Sequence, residues 1–128
     1  MRAGPTALLV HLIFMQDFSH CLSEARKKSG FSQADCAHLL GVSQSYISRL
    51  ELAHSVPSVA DISGVAVLFG RTMEIMLEPL LKEQAMSIRA RLYDLPEPKI
   101  GWLGRFTRTN ALNKLENRLD RIARHYDS

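Results

Sequence analysis

The sequence predicts an all-α chain in which five short helices form one domain and a two-helix C-terminal extension follows. Three observations carry that expectation. Apolar side chains recur at three- and four-residue spacing from Phe18 onward. Glycines and serines alternate as stops and caps between these periodic runs. The length of 128 residues, 46% hydrophobic and 23% charged, suffices for a small domain with an extension and not for two full domains. The expected divisions are an apolar N-terminal segment (1–17), the five-helix domain (18–78) and a basic helical extension (79–128).

The N-terminal segment contains the apolar run Thr6–Met15, about half the ~20 residues a bilayer span needs. No small-residue cleavage site follows it, because Asp17, Phe18 and His20 come next. It reads as an extra element packed on the body or on a second copy, or as residues upstream of a start at Met15.

Phe18, Cys21, Leu22 and Ala25 stand at i, i+3, i+4 and i+7, one face of a first helix that Gly30 ends. Ser32 caps a second helix beginning Gln33-Ala34-Asp35, with Asp35 as its capping-box partner, and Gly41 ends it after two turns. Ser43 caps a third, Gln44 to Leu52, with Ile47 and Leu50 inward. Ser58 and Gly70 bracket a fourth, Val59 to Phe69, in which Gly64 points to close packing or to a tolerated cost of ~1 kcal/mol. A short fifth runs from Thr72 to Leu77.

The chemistry-bearing motifs of enzymes are absent from the sequence. It has no Gly-rich phosphate loop, no GxSxG elbow and no HExxH, and its five histidines are scattered. Cys21 and Cys36 lack metal spacing and read as buried thiols in a reducing compartment, so the expected location is cytoplasmic. No enzyme activity, metal, cofactor or membrane partner is expected. Charge is unevenly placed: residues 20–79 hold five basic and six acidic side chains, net −1, whereas 80–128 hold ten and six, net +4. Bulk attraction for polyanions therefore sits in the C-terminal part.

Two short helices joined by a glycine turn form a helix-turn-helix unit, at about residues 33–52. Gln44, Ser45, Ser48 and Arg49 point outward from its second helix, and such a face can enter a major groove and bond base edges. A small helical bundle with capped helices would show the same pattern. The residues Ser32-Gln33, Ala37, Leu40 through Glu51 (Leu-Gly-Val-Ser-Gln-Ser-Tyr-Ile-Ser-Arg-Leu-Glu) and Pro57-Ser58 narrow the choice. Over about residues 21–76 the chain resembles the lambda-repressor-like (Cro-type, XRE) helix-turn-helix family; residues 80–128 resemble no family.

The resemblance implies a five-helix lambda-repressor-like domain whose homodimer reads a partly palindromic operator in double-stranded DNA. It implies base contacts from Gln44, Ser45 and Arg49 and phosphate contacts from Gln33, Ser43, Tyr46 and Ser48. From the residues alone, Tyr46 fits the core as well as a phosphate. The resemblance also implies a structural ion pair of Arg26 with Glu51, and a dimer surface around Met73, Met76 and Leu77. One departure concerns the loop after Glu51. Ala53 stands where the family has its glycine, and only His54 remains where cations would meet phosphate. A histidine carries little charge at neutral pH, so affinity from this module alone should be modest.

In the extension, Leu81, Ala85, Ile88 and Leu92 mark a helix opened by Pro79, and Leu95-Pro96-Glu97-Pro98 breaks it. Trp102 and Phe106 then lie in a loop that either docks on the body or anchors another protein. From Thr109, read as an N-cap, Leu112, Leu115, Leu119, Ile122 and Tyr126 form a short heptad seam. That seam folds onto the preceding helix, a second copy or a partner. The expected function is a dimeric repressor with no catalytic step. The alternative is an antitoxin that grips a toxin through residues 96–128 and autoregulates, as small proteins of the resembled family often do.

Overall fold

The computed structural model describes residues 5–127, and side chains from 8 to 125. Seven helices and no strand occur among the described residues. They are α1 (Pro5–Ser29), α2 (Gln33–Leu40), α3 (Gln44–Glu51), α4 (Val59–Phe69), α5 (Met73–Met76), α6 (Glu78–Leu92) and α7 (Arg105–Asp127). The chain divides into two compact units, Met1–Leu80 and Leu81–Ser128.

In the first unit α1 runs unbroken across residue 17, where the sequence suggested a division. Its apolar turns have no cap or glycine to end them, and Phe14 (4% exposed) joins the same inward stripe as Phe18 and Leu22. Leu50, Ile62, Val65, Ala66 and Met76 complete that core. A second cluster of Cys36, Ala37 and Ile47 sits beneath Phe31, Val42 and Leu68. Cys21, expected buried, is half-buried; Cys36 is fully buried, and burial pushes its thiol up. The caps at Ser32 and Ser58 are reciprocal boxes with Asp35 and Asp61. Gly64 admits close packing, because a Cβ there would meet Leu40 Cδ2 at 2.8 Å.

In the second unit, Leu119 (3% exposed) is the buried residue among the described side chains of α7. With Ile122 and Ala123 it lines a groove of about 380 Å³ whose other side is Ala85, Met86 and Arg89 of α6. The seam thus folds toward the preceding helix. Arg89 Nη2 donates to Asp120 Oδ1 at 2.8 Å across the same helix pair. Thr109 does not cap α7, which starts four residues earlier. Its hydroxyl donates back to the Arg105 carbonyl at 3.1 Å, one turn inside the helix.

Candidate nucleic-acid interface

α3 is held from beneath and capped at its start. Gly41 takes the left-handed conformation (φ 70°) that ends α2, and the Val42 amide closes the corner on the Ala37 carbonyl at 2.9 Å. Ser43 Oγ accepts from the Tyr46 amide at 3.1 Å. Ile47 and Leu50 are buried in the two clusters, which fixes the rotation of the helix and turns Gln44, Ser45 and Arg49 to solvent. Ser48 is half-buried at the edge of this face.

Arg49 is restrained on that face. Its guanidinium carbon lies 5.5 Å from the Tyr46 ring centroid, a cation–π contact worth ~0.5–1 kcal/mol at an exposed site. Tyr46 is fixed in turn, because its hydroxyl donates to Asp61 Oδ2, which also accepts the Ser58 amide at 2.8 Å. The α4 cap therefore anchors the platform on which Arg49 rests. That hydrogen bond first, and burial second, push the Tyr46 phenol above its usual range. A tyrosine expected at the DNA backbone thus has its hydroxyl occupied within the fold. Sequence reasoning passed over Asp61 altogether; its capping-box spacing from Ser58 is the signal that could have placed that carboxylate at the start of α4.

The expected ion pair is present and larger than expected. Arg26 Nε donates to Glu51 Oε2 at 2.6 Å and Nη2 to Oε1 at 3.0 Å, a bidentate pair. Arg26 Nη1 also donates to the Phe31 carbonyl at 3.1 Å. Gln33 Nε2 donates to Glu51 Oε1 at 3.2 Å, so the structure ties Gln33 to the pair. Burial would raise the Glu51 carboxyl, but the hydrogen bonds from Arg26 and then Gln33 outweigh it and hold it below the ordinary carboxylate value. The Glu51 hydrogen bond raises the Arg26 guanidinium against its own desolvation. After α3, Ala53 adopts φ 58°, so the chain follows a left-handed path there without a glycine. His54 is exposed beyond it, its amide bonded to the Arg49 carbonyl at 2.8 Å.

Comparison with family models matches residues 22–76 to the helix-turn-helix family. Those residues are a lambda-repressor-like helix-turn-helix domain. The match spans under half of the chain. No curated protein and no solved structure matched it. The helix-turn-helix domain is of the type carried by DNA-binding transcriptional regulators of the XRE family. Among the described residues no helix is long and apolar enough to cross a membrane, and no side-chain cluster could hold a metal ion.

Of the residues expected at a dimer surface, one lies in the core. Met76 is 7% exposed and fills the core, so it offers nothing to a partner; Met73 is half-buried against that core. Ile75 is the exposed apolar residue of α5. In the second unit Trp102 is half exposed, its ring so close over Gly104 that a Cβ there would approach to 2.6 Å. Phe106, in the first turn of α7, is exposed with Ile100 and Leu103.

Proposed function

We propose that the chain is a dimeric, sequence-specific repressor that occupies operator DNA through α3. Gln44, Ser45 and Arg49 read base edges; Gln33, Ser43, Ser48 and His54 meet the phosphates around them. Tyr46 serves by holding Arg49. The observation that carries this reading is the polar outer face of α3, with Arg49 already restrained above Tyr46. Gln bonds adenine N6/N7 and Arg bonds guanine O6/N7 in pairs, each worth ~1–3 kcal/mol of discrimination. The test is fluorescence anisotropy on the chain's own upstream DNA beside a scrambled duplex, near physiological salt. The expected preference is ~10³-fold or more, lost in Gln44→Ala/Arg49→Ala with the fold intact. Equal affinity of variant and wild type for the upstream DNA would sink the assignment. Sedimentation of the protein on that DNA would check the dimer.

The second reading, an antitoxin, is favoured by the exposed Ile100, Trp102, Leu103 and Phe106 around the α6–α7 loop. Large apolar side chains in such numbers on a surface mark a contact site. Co-purification with the product of a neighbouring gene, abolished by Trp102→Ala/Phe106→Ala, would favour it. A stable protein without such a partner, and unaltered cell growth when residues 96–128 are deleted, would count against it.

A further inference from the structure

α7 carries a charged stripe that no part of its own fold uses. Lys114, Arg118 and Arg121 stand at i, i+4 and i+7, one line along the helix, with Arg124 beside them. All four are exposed, and none is engaged by a carboxylate among the described residues. The apolar seam around Leu119 faces elsewhere, so the stripe takes no part in packing. Glu116 lies two positions from both Lys114 and Arg118, across the helix from them. Asp120 borders the shallow groove that the stripe lines, and Arg89 meets its charge at 2.8 Å.

The shape of this charge selects its ligand. Lys114 and Arg121 are about 10 Å apart along the axis at ~1.5 Å per residue. A duplex presents about one phosphate charge per 1.7 Å of its own axis. A line of cations suits such a linear polyanion better than a single phosphate group. Duplex DNA is favoured over an acidic protein by what the domain around α3 lacks. Residues 20–79 carry five basic against six acidic side chains, and Arg26 is already bonded to Glu51. Sequence-independent attraction to phosphates supplies essentially all non-specific binding, and a reader of net −1 has little of it. The C-terminal part, ten basic against six acidic, holds the missing charge.

We infer that the Lys114–Arg118–Arg121 face of α7 is a second DNA-binding surface, a sequence-independent grip on duplex phosphates. It takes its ligand from the DNA-binding reading proposed above, yet the two separate in one experiment. Anisotropy of the full-length protein is measured on upstream and scrambled duplexes, from about 50 to about 200 mM salt, for wild type and Lys114→Gln/Arg118→Gln/Arg121→Gln. Each lost phosphate contact lowers the slope of log K against log salt by about 0.9, so three lower it by about 2.7. The wild type's advantage over the variant should therefore shrink ~40-fold across that range. Its preference for upstream over scrambled DNA should persist in the variant.

A charge-preserving Arg118→Lys/Arg121→Lys variant should keep the wild-type slope; if it falls as far as the glutamine variant, the effect is not charge and the inference fails. An unchanged slope in the glutamine variant also overturns the inference, including where that variant has lost an acidic protein partner instead. An operator preference that survives alongside that result leaves the α3 reading standing. A lowered slope with no preference for upstream DNA upholds the α7 grip and removes sequence-specific reading. No binding of wild type to either duplex overturns both.

Discussion

Replacing Glu51 with alanine should cost the helix-turn-helix domain more than any change on its surface. The carboxylate accepts three hydrogen bonds, two from Arg26 and one from Gln33, with only 7% of its side chain exposed. Without it the Arg26 guanidinium, 13% exposed, keeps a single acceptor, the Phe31 carbonyl. A buried charge stripped of its partner costs about 3–5 kcal/mol. At roughly 0.05–0.15 kcal/mol per residue, a unit of this size has a total near 4–12 kcal/mol. One kcal/mol moves the melting temperature of such a domain by about 4–8 °C, so the variant should melt at least ~12 °C lower. Urea unfolding followed by far-ultraviolet circular dichroism gives the free energy. The paired change Arg26→Met/Glu51→Leu leaves no stranded charge and should recover most of the loss. The same bond sets an acid limb. Because the folded carboxyl lies below its unfolded value, its stabilisation is present above the ordinary carboxylate range and is lost as pH falls through the folded value. Glu51→Ala should therefore flatten the decline of stability in acid. A loss under ~1 kcal/mol, the worth of an exposed pair, or an unaltered acid limb would refute the reasoning.

Three further outcomes are expected. Ala53→Gly relieves a left-handed residue at φ 58° and should raise stability by ~0.5–1 kcal/mol, read as a higher urea midpoint; a lower one would contradict the strain. Alkaline absorbance titration should show Tyr46 ionising late, and Asp61→Asn should bring it back toward the usual value. The folded phenol is raised, so the stability tied to it is full below its unfolded value and is lost as pH climbs through the folded one. Arg89 and Asp120 are both well exposed, so a double-mutant cycle across their 2.8 Å contact should give under ~1 kcal/mol.

The helix-turn-helix core was legible because its signals are local. Ser32, Ser43 and Ser58 with Gly41 and Gly70 mark α2, α3 and α4 within a few residues of each boundary, and the structure puts the ends where those caps stand. The outward face of α3 followed from Ile47 and Leu50 alone, since a two-turn helix with two buried anchors has only one face left. What escaped the sequence depended on distance or on the absence of a marker. Tyr46 and Asp61 are fifteen positions apart, and no periodicity links them. α1 had no cap before Phe18 to show that it began earlier, and Thr109 offered a cap that the helix did not use. Met76 was misplaced because four residues of α5 are too few for a period to separate core from surface.

The loop after α3 shows why geometry and charge must be judged apart in this domain. Ala53 stands where the resembled family has its glycine, yet the chain turns through the left-handed region there, and the His54 amide closes on the Arg49 carbonyl at 2.8 Å. The path of the backbone survives the substitution, while the cations that would accompany it are absent. The charges nearest α3 are likewise committed inside the fold: Arg26 to Glu51, and Asp61 to Tyr46 and the Ser58 amide. Arg49 is the cation left on the outer face, held in place by an aromatic ring. Such an arrangement favours discrimination over attraction, because a preorganised bidentate contact adds ~1–3 kcal/mol between right and wrong bases. Phosphate neutralisation governs how tightly any sequence is held and how strongly salt weakens that hold. A reader of this kind needs its attraction from elsewhere in the chain, and the exposed Lys114–Arg118–Arg121 face of α7 is the source we propose for it.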